Sequence, residues 1–294
     1  MRKASLALGV LLAAVLAPAP AYAWGFAGHR LIMAKAIDLL PPPIKPFFEK
    51  FRDELVVRAV DPDEWRNVGW DDDPNHFIDF GMPELGPYPF AGLPRDYSQA
   101  LEKFGPAQMK RIGTLPWRAS EMFGYLRRGF EGFARKSPYT NDVVLYAAVA
   151  SHYVQDANQP LHATNNYDGQ LTGNNGIHSR FERDLIERFA SRLSLTPSAR
   201  APIANARDEA FDMLLAAYKD VDTILAADKR AVAGKDLYDD DYFEKFFGGV
   251  KPILERQITR SIEATAAVIA GAWEAAGRPT LTIQEARPVQ KVRK

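Results

Sequence analysis

The chain has 294 residues, 47% hydrophobic and 25% charged, the composition of a globular protein and not of a disordered or collagen-like one. Its 37 Lys and Arg balance 37 Asp and Glu, so no basic excess marks it for tight duplex binding. There is no cysteine, which excludes a disulfide scaffold, cysteine zinc fingers, iron–sulfur clusters and a thiol nucleophile.

Arg2 and Lys3 precede an apolar stretch, 4–17, that ends in Ala21-Tyr22-Ala23. This pattern predicts a signal peptide over 1–23, cut after Ala23, and so a secreted or periplasmic protein beginning at Trp24. From Trp24 onward helical periodicity dominates the chain. A helix is expected over 29–40, stopped by Pro41-Pro42-Pro43, which can neither donate to it nor continue it. A second starts near Ile44 and leads into the 61–70 region. Residues 81–97 are rich in Gly and Pro and read as a loop. Further helices are expected over 116–135, from an N-cap at Asn141 to Asp156, and over 177–193 after a polar loop at 163–176. Ile203, Phe211, Leu214, Tyr218, Val221 and Leu225 mark one more helix. Leu254, Ile258, Ile262, Ile269 and Trp273 are the stripe of the last. The periodicity stops at Gly277, leaving 278–294 as a basic C-terminal tail. No strand pattern, repeat or linker interrupts the series, so one all-α domain is expected over 24–277.

The five histidines, at 29, 76, 152, 162 and 178, carry the chemical signal. His152 and Asp156 are spaced i, i+4, and so are His178 and Glu182. On a helix that spacing puts both side chains on one face, with Cβ atoms about 6 Å apart, where a metal fits between them. His152 shares its face with Leu145 and Val149, so it points toward the core, where an unpaired charge is costly. Taken singly, each histidine is also compatible with a satisfied core residue or a surface ion pair. Two such pairs 26 residues apart, with His162 between them, favour a metal. A donor set of His, Asp and Glu without Cys suits zinc. Cleavage after Ala23 would leave Trp24 with a free α-amine, a group of pKa near 8 that can give up its proton to a metal. The plainer reading of Trp24 is an ordered terminal aromatic.

Five stretches carry a resemblance: Trp24-Gly-Phe-Ala-Gly-His29, Pro62-Asp63-Glu-Trp-Arg66, His76-Phe-Ile-Asp79, His152-Tyr-Val-Gln-Asp156-Ala-Asn-Gln-Pro-Leu-His162 and Gly176-Ile-His178-Ser-Arg-Phe-Glu182. Together they resemble the zinc-dependent phospholipases C and the single-strand-specific zinc nucleases, from Trp24 to about Leu193. The resemblance implies an all-helical fold with three zinc ions in one cleft. It implies one zinc held by Asp63, His76, His152 and Asp156. A second would be held by Trp24, His29 and the other oxygen of Asp156, and a third by His162, His178 and Glu182. Asp63 fits the family's D-E-x-R pattern, although Asp61 lies nearer the usual distance from His76. The implied chemistry is hydrolysis of a phosphodiester by water activated between two close zincs, with Asp63 also orienting or deprotonating that water.

The substrate signals are mixed. Glu182 as the last ligand, the 16 residues from His162 to His178 and the absence of cysteine resemble the phospholipase branch. The spacing from Trp24 to His29 resembles the nuclease branch, in which the counterparts of Phe77 and Asp79 lie at the base pocket. An aromatic choline cage is not recognisable, since Asp73 stands where an apolar ring would be expected. The reading is phospholipase C-like hydrolysis, with a single-strand-specific nuclease or 3′-nucleotidase as the alternative and a non-catalytic zinc-binding protein behind both. The expected partners are a phospholipid head group or single-stranded nucleic acid, with contact at a membrane surface in the first case. No stable protein partner is inferred.

Overall fold

A computed structural model describes residues 24–136 and 140–283. The expected signal peptide with its cleavage site, and 284–294 of the expected tail, lie outside the described residues. Among the described residues the structure is helical, without a strand. No described helix is long and apolar enough to cross a membrane.

Helix α1 (Gly25–Asp38) starts four residues earlier than its periodicity suggests. Trp24 takes a left-handed conformation at its head, with φ of 48°. Two short helices come next, α2 (Lys45–Lys50) and α3 (Arg52–Arg58), then α4 (Asp61–Trp65). Helix α5 (Tyr97–Ile112) is not expected from the sequence, because Gly105-Pro106 interrupts its pattern. Gly105 does break it, with φ of 71°. Helix α6 (Leu115–Ala134) matches expectation closely. Helix α7 (Thr140–Asp156) begins at Thr140, so Asn141 lies in its first turn and is not its cap.

The expected helix over 177–193 is composite: α8 (Ile177–Ser179), a π-helical turn (Arg180–Asp184), α9 (Leu185–Phe189) and a closing 3-10 turn. The apolar series from Ile203 to Leu225 belongs to two helices, α10 (Ala206–Tyr218) and α11 (Val221–Val232). Ile203 itself lies outside the helices, where its N–H donates to the Ala267 carbonyl at 3.0 Å. The last helix, α12 (Asp240–Ala275), has 36 residues and is about 54 Å long at 1.5 Å per residue. Gly248, Gly249 and Pro252 hide its first half from a reading of periodicity. The Asp239 side chain caps it, accepting from Tyr242 N–H at 2.7 Å.

Helix α7 is the centre of the packing. It lies against α1, α3, α6 and α12. From Ala147 to Asp156 every residue is buried, on all sides of the helix. Small residues (Ala147, Ala148, Ala150, Ser151) let its neighbours approach. A helix buried all round needs its polar side chains to find partners inside the protein. The polar residues of its last two turns therefore shape the site.

A buried ionic network fixes the segment that carries His178 and Glu182. Arg180, between them, donates from Nη2 to Asp228 of α11 at 3.0 Å and from Nε to the Tyr242 hydroxyl of α12 at 2.8 Å. Asp228 also accepts from Asn174 at 2.7 Å and from the Tyr242 hydroxyl. Removing one partner of such a pair strands the other in a low dielectric, at a cost of roughly 3–5 kcal/mol. Asp228→Ala is accordingly expected to lower the free energy of unfolding by about 3 kcal/mol in a denaturant titration. A loss of less than about 1 kcal/mol would show that this network does not hold the segment.

Candidate metal centre

Four histidines are held from outside through Nδ1. His29 Nδ1–H donates to Gln155 Oε1 at 2.6 Å, and His152 Nδ1–H to the Ala59 carbonyl at 2.8 Å. His162 Nδ1–H donates to the His76 carbonyl at 2.6 Å, and His178 Nδ1–H to the Tyr167 carbonyl at 3.2 Å. A carbonyl oxygen can only accept, so Nδ1 of each ring carries a proton and Nε2 is the atom turned toward the cluster. His76 is turned the other way. Its Nε2–H donates to the Asp72 carboxylate at 3.1 Å, and its Nδ1 faces inward.

The inward atoms converge. His76 Nδ1 lies 2.9 Å from Asp156 Oδ2 and 3.1 Å from His152 Nε2. The other oxygen of Asp156 lies 3.4 Å from His29 Nε2. Asp63 is buried and faces three rings, His152 at 3.7 Å and both His29 and His76 at 3.9 Å. Asp61, its rival in the sequence, is instead half-buried and paired with Arg58 at 3.2 Å. In the second part of the cluster His162 and His178 bring their Nε2 atoms to 3.1 Å. Glu182 Oε2 lies 2.9 Å from His178 and accepts from Gln159 Nε2 at 2.8 Å. The two parts are joined through the bond from His162 to the His76 carbonyl.

Facing lone pairs repel unless a proton or a cation lies between them. Among the described residues, His29 Nε2, Asp156 Oδ1 and Glu182 Oε1 are buried with no hydrogen-bond partner. Three groups have ligand atoms close enough to hold one ion each: His29, Asp63 and His152; His76, His152 and Asp156; His162, His178 and Glu182. Imidazole and carboxylate donors of this kind fit zinc. Asp63 has ligand atoms within reach of His29 and His152 in the first of these groups, and of His76 at 3.9 Å.

Burial and the neighbouring carboxylates act differently on the rings: burial lowers His29, whereas for His152 and His178 burial is outweighed by Asp156 and Glu182 respectively, which raise them. Burial holds His29 down, to about 3, so its ring is neutral and Nε2 is free to bind. Burial works against protonation of His76 too, but its hydrogen bonds to Asp156 and Asp72 outweigh it and raise the ring to about 10. For Asp156, burial is overcome by His152 and His76, which hold the carboxyl well below its ordinary range. The carboxylates of the site thus favour positive charge on the rings that face them.

The remaining expected residues lie around this cluster. The Trp24 ring is buried, with Nε1–H donating to the Gln155 carbonyl at 2.9 Å. Trp24 and His29 are therefore tied to the same residue of α7. Asp79 is half-buried, its carboxyl pushed up to about 7 by burial against the opposing pull of His178 and Arg111. Phe77 packs on Gly113, where a Cβ would come within 2.1 Å of the Phe77 carbonyl oxygen. Asp73 is exposed. Sequence reasoning gives no role to Asp72, Gln155 and Gln159. Gln155 comes three residues after His152, a spacing that marks one helix face, whereas Gln159 lies beyond the end of α7 and is not marked by it.

No family model and no curated protein matches this chain. Among solved structures, the alpha toxin from Clostridium absonum is similar, with a TM-score of 0.48 and 15% identity. The match covers 81% of this chain and 62% of the toxin, so this chain spans less than two thirds of that protein. At that identity and score the likeness bears on neither the site residues nor the substrate.

Metal removal gives a direct test. At zinc a hundredfold above its dissociation constant, each occupied site adds about 2.7 kcal/mol. Chelator-treated protein is expected to melt earlier and to recover its midpoint with zinc. Asp156→Asn should lose most of that zinc-dependent shift, and Glu182→Gln only part. A wild-type midpoint indifferent to zinc would contradict the centre.

Proposed function

We propose that this chain is a secreted or periplasmic zinc-dependent hydrolase of phosphodiesters, phospholipase C-like in its chemistry. The observation that carries this reading is the convergence of five inward ring nitrogens and three carboxylates, from Asp63, Asp156 and Glu182, in one buried cluster. The five sequence stretches that resemble the zinc phospholipases and nucleases supply these same residues. Asp156 would hold two ions through different oxygens, with His29 on one side and His76 and His152 on the other. His162, His178 and Glu182 would hold a third, and the Trp24 amine would complete the set at His29.

Zinc bound here would neutralise an anionic phosphodiester and bring the pKa of a water toward neutrality. Asp63 faces His29, His76 and His152, which suits it to orient the attacking water and take its proton on the carboxylate. Its carboxyl is pushed up to about 7 by burial. No serine or cysteine nucleophile is needed.

One observation favours the nuclease alternative: Asp79, which with Phe77 follows His76 in the chain, is half-buried and its carboxyl feels the charge of His178. Purified protein with close to three zincs should be offered short-chain phosphatidylcholine and single-stranded DNA side by side. Faster hydrolysis of the lipid is expected. Cleavage of DNA alone, abolished in Asp79→Ala, would establish the nuclease instead.

The terminus is tested separately. Residues added before Trp24 turn its amine into an amide, a poor ligand. A tagged chain is therefore expected to hold less zinc and hydrolyse bis-p-nitrophenyl phosphate more slowly than one trimmed to expose Trp24. Equal zinc and equal rate would remove the amine from the site.

A further inference from the structure

The sequence shows only an acidic run at Asp71-Asp72-Asp73, yet its members have different environments. Asp71 and Asp73 are exposed, while Asp72 is buried. Asp72 Oδ2 accepts from the Tyr153 hydroxyl at 2.6 Å and from His76 Nε2–H at 3.1 Å. Its Oδ1 accepts from Asn75 Nδ2 at 2.7 Å and from Arg118 Nη2 at 3.3 Å. The donors come from the 3-10 turn Asp73–His76, from α6 and from α7. Arg118 supplies the countercharge and is itself packed over the rings of Trp65 and Tyr153. A carboxylate with four donors in three elements cannot turn away from its histidine.

This arrangement explains why His76 is reversed. The other four histidines present Nε2 to the cluster and are held through Nδ1 by neutral oxygens. His76 presents Nδ1 and is held through Nε2 by an anion. A carboxylate partner fixes the tautomer and also makes the ring a stronger donor to a cation. We propose that Asp72 is a positioning residue that locks His76 as the Nε2–H tautomer, turns Nδ1 into the cluster and tightens cation binding by His76, His152 and Asp156. The proposal rests on the reading of the cluster as a metal centre.

The key variant is Asp72→Asn, which keeps the volume. Its amide group must oppose either the donors Asn75 and Arg118 or the donors Tyr153 and His76. Tyr153→Phe is the control, because it disturbs the same packing but leaves the carboxylate on His76. Long-range proton–nitrogen spectra of the zinc-loaded wild type are expected to show four Nδ1–H histidines and one Nε2–H histidine, His76. In Asp72→Asn the Nε2–H pattern of His76 should be lost. Zinc at its group should weaken about 10- to 100-fold in chelator competition, the usual cost of removing an outer partner. Zinc at His162, His178 and Glu182 should be retained, and Tyr153→Phe should keep both the pattern and the affinity.

A zinc-loaded wild type in which His76 carries Nδ1–H overturns the proposal without any variant. So does Asp72→Asn with unchanged spectrum and affinity, or Tyr153→Phe with an equal loss. A wild type that takes up no zinc at all overturns the metal reading itself, and the role of Asp72 with it. That outcome is recognised by its being common to every variant.

Discussion

The structure is organised around a charge that the protein cannot balance by hydrogen bonds alone. Asp63, Asp156 and Glu182 are buried beside five imidazoles, four of which commit their Nδ1 proton outward. Burying carboxylates is costly unless they are paired, and acceptors set within about 3.5 Å of one another repel. The chain accepts this cost at one place and builds the surroundings to hold it. Ala59, Gln155, Tyr167, the His76 carbonyl and Asp72 each fix one ring from behind. A cation in front of the rings would then meet donors that need not rearrange.

The fold supplies rigidity where those donors sit. Helix α7 is enclosed by α1, α3, α6 and α12, so His152 and Asp156 cannot move without moving the core. Trp24 and His29 are anchored to Gln155 on the same helix. The segment with His178 and Glu182 does not belong to a long helix. It contains a π-helical turn, a geometry often found at functional sites, where it gives up regular hydrogen bonding. The Arg180–Asp228–Tyr242 network offsets that loss by tying the turn to α11 and α12. Stability has been placed beside the site, leaving the site itself electrostatically unsatisfied.

Much of this is legible in the sequence, for physical reasons. The i, i+4 pairs at His152 and Asp156 and at His178 and Glu182 show because helical spacing brings them onto one face. The all-helical class shows because apolar periodicity survives in most segments. Other features stay hidden. Helix α5 is missed because Gly105 and Pro106 look like a terminus, and the front half of α12 because Gly248, Gly249 and Pro252 do. The division between α10 and α11 falls at Lys219 and Asp220, which leave the apolar spacing nearly intact across two different helices. Asp72 cannot be told from its exposed neighbours, because its burial depends on Tyr153 and Arg118, far away in the chain. Spacing along one element is local information, and an outer partner from another element is not.

The central claim is that the converging nitrogens and carboxylates hold metal. It is tested most directly by anomalous diffraction from crystals of the zinc-loaded protein, on either side of the zinc absorption edge. The account predicts anomalous peaks among His29, Asp63, His76, His152 and Asp156, and a further peak among His162, His178 and Glu182. Zinc-replete crystals without peaks at these residues, or with zinc only at other places on the surface, would contradict it.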